Sequence, residues 1–161
     1  MTPRIETITP KTLVGLQIRM NLANNKTSEL WRTFLQRKEE IHHRTNTDRY
    51  SIQVFDSPQH MNTFTPLTEF DKWAAVEVND ATRMPQGMKS ITIEAGQYAV
   101  FIHHGAAHTF QKTFDHIFGV WLPASGYQFD HRPQFEIMKA DYNPFDDNAQ
   151  EEVWIPIKQQ R

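Results

Sequence analysis

Two kinds of hydrophobic pattern run along this chain, and they come in the same order twice. Alternation with period two, the mark of a strand with one buried face, covers Thr12 to Met20, where Val14, Leu16, Ile18 and Met20 fall on one side. Residues 4–20 therefore read as a pair of strands. A stripe at helical spacing follows (Leu30, Trp31, Phe34, Leu35 and Lys38), which predicts an amphipathic helix over 27–43 after the turn-forming Asn24-Asn25-Lys26. Alternation then returns near 50–56 and 73–79. After Pro85-Gln86-Gly87 the series restarts, with strands predicted near 88–94 and 97–103, a helix near 105–121, and strands near 134–140 and 151–157. In the second helix Ala107, Phe110, Phe114, Ile117, Phe118 and Trp121 fall on one face, and Pro123 and Gly126 end it.

This repetition predicts an α+β fold of two pseudo-symmetric βαββ units, about 1–84 and 85–161, with one long helix per unit on an antiparallel sheet. The chain's 161 residues suit one compact domain built from two intimate halves. A seam between similar halves is a common place for a small-molecule pocket. The segment 57–70, with Pro58, Pro66 and scattered aromatics, reads as an irregular loop, either a plain surface loop or a rim over a site.

Strand parity proposes the site. Val153, Ile155 and Ile157 share one side of the last strand, and Phe135 and Ile137 share one side of the strand before it. If those aliphatic sets lie under the helix, the other face presents Glu136, Met138, Trp154, Phe101 and His103. Rings around a single carboxylate make a receptor for a lipophilic cation, and a carboxylate buried there without its ligand is expected to have a raised pKa. The competing expectation is a solvent-exposed sheet face with Glu136 a wet surface acid.

Composition narrows the alternatives. Formal net charge is −2 and no Lys/Arg cluster exists: Arg32, Arg37, Lys38 and Arg44 are interleaved with Glu29, Glu39 and Glu40, which disfavours direct nucleic-acid binding. With no cysteine there are no disulfides, thiolate metal sites or cysteine nucleophiles. No leader-like apolar region opens the chain and no apolar run approaches ~20 residues, so a cytoplasmic location without membrane contact is expected. His104, His108 and His116 fall at helical spacing, but no acid completes a triad around them, and neither metal nor cofactor is expected. Ser125 lacks a nucleophile elbow and reads as turn chemistry, and no glycine-rich phosphate loop occurs.

Four short motifs add a resemblance. Tyr98-Ala-Val-Phe-Ile-His-His-Gly105, Gly119-Val-Trp-Leu-Pro-Ala-Ser-Gly-Tyr127, Arg132-Pro-Gln-Phe-Glu136 and Glu151-Glu-Val-Trp-Ile-Pro-Ile-Lys158 stand in the order found in the GyrI-like small-molecule-binding domain, which the resemblance also links to the effector-binding half of several bacterial transcription activators. The likeness covers 88–158 well, and 1–80 in order of elements only. It implies a ligand cleft between the two units, with aromatic or cationic molecules held by a central glutamate. By position that glutamate is Glu136, with Glu151 or Glu152 as the fallback, and Trp121 and Tyr127 wall the site. Activator relatives carry a helix-turn-helix domain ahead of this one, whereas the sequence here opens at its first strand. The expectation is a stand-alone binding domain for a small-molecule ligand, with room for a protein partner. A hydrolase using Glu136 as a base for water, and an interaction module such as a DNA gyrase inhibitor, are the other readings.

Overall fold

The computed structural model describes residues 1–57 and 63–160. Among them nine strands form a single antiparallel sheet: β1 (Arg4–Ile8), β2 (Lys11–Met20), β3 (Arg49–Val54), β4 (Phe70–Val78), β5 (Lys89–Ile93), β6 (Gly96–His104), β7 (Tyr127–Phe129), β8 (Gln134–Met138) and β9 (Gln150–Gln159). Helix α1 (Thr27–Arg37) follows β2. Helix α2 (Phe110–His116) follows β6, entered through a 3-10 turn at Ala107–Thr109 and continued by a π-helical turn at Ile117–Trp121 and a last turn at Leu122–Ala124.

The strand order β1-β6-β9-β8-β3-β4-β2-β5 is a palindrome. β1, β2 and β3 start at residues 4, 11 and 49, and β5, β6 and β8 start at 89, 96 and 134, each 85 residues after its counterpart. The pseudo-twofold axis passes through the centre of the sheet, where β3 meets β8 and Ser51 lies opposite Glu136, again 85 residues apart. The sequence expectation of two adjacent strands in 4–20 needs one correction of partner. β1 pairs with β6 and β5 pairs with β2, so each half lends its first strand to the other. Turn geometry does not hold β1 and β2 together; the apolar faces of the longer β6 and β2 hold the lent strands.

The two faces of the sheet are built differently. On the helix-free face, strands from both halves feed one core of Leu13, Tyr50, Ile52, Trp73, Ala75, Ile93, Tyr98, Val100, Phe135, Ile137 and Trp154. Phe135 is its hub, with ring centroids 5.3 Å from Tyr98, 5.4 Å from Trp154 and 5.6 Å from Tyr50. On the other face each helix covers its own core. Leu30 and Phe34 of α1 sit on Val14, Ala74, Val76 and Val78. Ile117, with Phe110, Phe118 and Trp121, sits on Ala99, Phe101, Val153, Ile155 and Ile157. The central strands β3 and β8 lie between these two covered zones.

Candidate functional site

The gap between the helices is a half-open cavity of about 1410 Å³. Its floor is the helix-facing side of the central strands: Arg49, Ser51 and Gln53 from β3, Gln134, Glu136 and Met138 from β8, and Lys72 and Glu151 from the flanking β4 and β9. Trp31 and Leu35 of α1 form one wall, and Phe110, Phe114 and Phe118 the opposite one. Met20, Phe55, Phe64 and Phe70 close one end, and Tyr142, Pro144 and Phe145 stand at the other. Of the loop predicted over 57–70, residues 58–62 lie outside the described residues, while Phe64 packs edge-on against Phe55 at 5.9 Å and so belongs to the wall.

The electrostatics of this floor follow from burial. Glu136 is only 5% exposed. Its Oε1 accepts a hydrogen bond from Gln53 Nε2 at 3.0 Å, and Oε2 has no partner among the described residues. Burial raises its pKa above the usual carboxylate range, and Lys72 and the Gln53 hydrogen bond pull it partly back. Glu151 is pushed up to about 7, first by burial and then by the charge of Glu136, with Tyr142 and Lys72 acting against the rise. Lys72 is 7% exposed, and burial lowers its pKa. Gln53 Oε1 and Gln134 Oε1 are also buried without partners among the described residues, so the floor presents polar atoms that a bound molecule or water can satisfy.

Among the residues expected from sequence, Glu136 and Met138 line this cavity. Of the two fallback acids, Glu151 lines it as well, whereas Glu152 points to the other face, where its Oε1 accepts from Trp154 Nε1 at 3.2 Å and its Oε2 from Arg4 at 2.9 Å. Trp154 is corrected: it lies on the helix-free face, stacked on Phe135. Phe135 pairs with Trp154 and Glu136 with Val153, so the aliphatic set of β9 shares a face with Glu136 and not with Phe135. The site accordingly lies on the helix-bearing face, between the helices, and not on a bare face behind them. Phe101, Trp121 and Tyr127 are also corrected. They pack together under the second helix, Phe101 edge-on to Trp121 at 5.2 Å and Trp121 stacked on Tyr127 at 6.2 Å, and none of the three lines the cavity. His103 shares the face of Glu136 but is sealed by the helix entry, with Nδ1 2.6 Å from Thr113 Oγ1 and Nε2 3.3 Å from Thr109 Oγ1. It ties the helix to β6, and burial lowers its pKa. Among the described residues no three His, Asp or Glu side chains gather as metal ligands.

Sequence reasoning missed Trp31, Phe110, Phe114, Phe118 and Lys72. Each carried a signal. The apolar arcs of both helices are wider than the stripe needed to cover a sheet, and the surplus faces the gap. Lys72 falls in phase with Ala74, Val76 and Val78, which are all buried under α1, so a charged group was due inside.

A family model described as the GyrI-like small molecule binding domain matches residues 1–158. The transcriptional regulator BrlR of Pseudomonas aeruginosa is 27% identical over 147 residues, covering 90% of this chain, and the chain spans about half (51%) of that regulator's length. Among solved structures, SAV2435 bound to tetraphenylphosphonium matches over 98% of this chain and 94% of its own, with a TM-score of 0.77 at 16% identity. The EcmrR C-terminal domain matches over 99% of this chain and 98% of its own, with a TM-score of 0.72 at 11% identity. At those identities the two structures establish a shared fold.

Proposed function

The chain belongs to the GyrI-like small-molecule-binding family, and from that premise we propose that its inter-helix cavity takes aromatic, positively charged small molecules, with Glu136 as the charge anchor. One observation carries this reading: a carboxylate buried at the pseudo-twofold axis, with one oxygen unpartnered among the described residues, on the floor of an aromatic-walled cavity open to solvent. A buried charge without a partner is costly, and a ligand cation supplies the missing pairing in a medium of low dielectric. Trp31 and the Phe110, Phe114 and Phe118 rings offer negative π faces to the same charge. The cavity's volume, about 1410 Å³, leaves room for a bulky multi-ring ion. The fold shared with a protein seen bound to tetraphenylphosphonium supports the choice of that ion as the first probe.

Titration of tetraphenylphosphonium into the protein, followed through its intrinsic tryptophan fluorescence, to which Trp31 of the cavity wall contributes, tests the reading. We expect saturable quenching in the wild type and at least a tenfold loss of affinity in Glu136→Gln, about 1.4 kcal/mol. Equal affinities in the two proteins would reject Glu136 as the anchor.

A further inference from the structure

The pseudo-twofold axis relates two groups of opposite charge on the cavity floor. Ile18 of β2 pairs with Lys72, and His103 of β6, 85 residues after Ile18, pairs with Glu151. Lys72 and Glu151 are thus structural counterparts, one on each side of Glu136. Both are buried and both line the cavity. Symmetry of the backbone has been kept while the charge has been reversed.

Lys72 is not consumed by the fold. Its ammonium is acted on by Glu136 and Glu151 through space alone, with no hydrogen bond to a described residue. It stands in register with Gln53, which in turn faces Gln134, so the Lys72 end of the floor is a row of one ammonium and two amides. The two arginines of the lining differ from it. Arg49 is engaged with the carbonyls of Lys139, Ala140 and Tyr142, and Arg32 is exposed at the mouth. A lipophilic monocation would leave Lys72 buried, unpaired and repelled by its new neighbour.

We infer that the preferred ligand is amphoteric: an aromatic molecule that presents its cationic centre to Glu136 and Glu151 and a carboxylate or other anionic acceptor to Lys72 and the Gln53 and Gln134 amides. This deepens the proposed function and rests on its reading of the cavity. Such a ligand pairs every buried charge on the floor and brings no net charge into the cavity. A monocation pairs the acids alone.

Rhodamine B, whose free carboxylate faces a delocalised xanthene cation, and its ethyl ester, which keeps only the cation, form a matched pair. Both are titrated into the wild type and Lys72→Met, with tetraphenylphosphonium alongside. Expected is at least fivefold tighter binding of rhodamine B than of the ester by the wild type. In Lys72→Met the rhodamine B affinity falls at least tenfold while those of the ester and of tetraphenylphosphonium rise. Equal or weaker binding of rhodamine B by the wild type overturns the inference, as does a change of both dye affinities in the same direction in Lys72→Met. If Lys72→Met does not fold, the wild-type ratio of the two dyes decides alone. Retained tetraphenylphosphonium binding with no preference for rhodamine B sinks the amphoteric ligand but leaves the proposed function standing. Absence of binding by all three ions overturns both.

Discussion

The two faces of this sheet solve different problems with the same strands. On the helix-free face, strands from both halves converge on Phe135, and rings from Tyr50, Tyr98 and Trp154 lie within 5.6 Å of its centroid. Here burial of hydrocarbon is continuous through the core, and charged groups stand at its margins, where the guanidinium of Arg132 lies 4.7 Å from the Tyr98 ring and that of Arg4 5.7 Å from the Trp154 ring. On the helix-bearing face the hydrophobic effect acts in two separate patches, one beneath each helix, and leaves the middle strands uncovered. The uncovered strip holds Ser51, Gln53, Lys72, Gln134, Glu136 and Glu151, all buried and polar. Such groups destabilise a fold unless they are paired. The solid face therefore supports the costly one, and the cost is placed where a ligand can repay it. Polar atoms without partners at the centre of an otherwise consistent fold mark function, since sequences usually break their own rules only at such places.

This contrast is open to direct attack by substitution. The largest effect is expected at the hub of the solid face. Phe135→Ala should cost about 3–5 kcal/mol, read as a drop in denaturation midpoint, because the four-ring cluster cannot collapse onto the hole. Phe114→Ala, on the cavity wall and already partly exposed, should cost under about 1 kcal/mol while weakening tetraphenylphosphonium binding. Equal destabilisation by the two changes would mean that the gap is packed like the core.

A middle-sized effect, of opposite sign, is expected at Glu151. Its carboxyl titrates at about 7 in the fold against an ordinary 4.5, so the folded state binds the proton more tightly than the unfolded chain does. Ionisation then opposes folding. The penalty is absent below pH 4.5, grows as pH rises towards 7, and is complete above it. Each tenfold tightening of proton binding is worth about 1.36 kcal/mol, so Glu151→Gln should stabilise the unliganded protein at pH 8 by up to about 3 kcal/mol and change little at pH 4. Thermal melts at the two pH values check this, and a mutant less stable at pH 8 would contradict it.

The smallest effect concerns binding. Glu151 faces Glu136, Lys72 and Tyr142, and its own carboxyl is pushed up to about 7, first by burial and then by the charge of Glu136. Raising the pH through 7 adds a negative charge beside the ligand, so the affinity for tetraphenylphosphonium should rise about three- to tenfold. The dependence should flatten in Glu151→Gln. A wild-type affinity that falls over this range would remove Glu151 from the binding account.

Much of this architecture was legible in the chain because two periods, 2 and 3.6, recur in the same order with strong amplitude. Strand order was less legible. Nothing in 4–20 or 88–103 says that β1 and β5 are exchanged, since a hairpin and an exchange bury the same alternating positions. Glu136 and Met138 could be found because an acid sits within the apolar run Gln134–Met138. Trp154 was misplaced for a definable reason. Parity within a strand is fixed by the pleat, but the face it shares with its neighbour depends on register, and one residue of slip exchanges Val153 for Trp154 opposite Glu136. Phe101, Trp121 and Tyr127 were misplaced because an aromatic ring looks the same in sequence whether a helix covers it or a cavity exposes it. The breadth of the apolar arc on 107–121 and the in-phase charge of Lys72 were the readable clues to the gap.

The central claim is that the gap between the helices holds a cation against Glu136. A crystal structure of the protein with tetraphenylphosphonium tests it most directly. The account predicts density for the ion between Trp31 and the Phe110, Phe114 and Phe118 wall, with its phosphorus nearer to Glu136 than to any other carboxylate. Density for the ion elsewhere on the molecule, with the cavity holding only solvent, would contradict it.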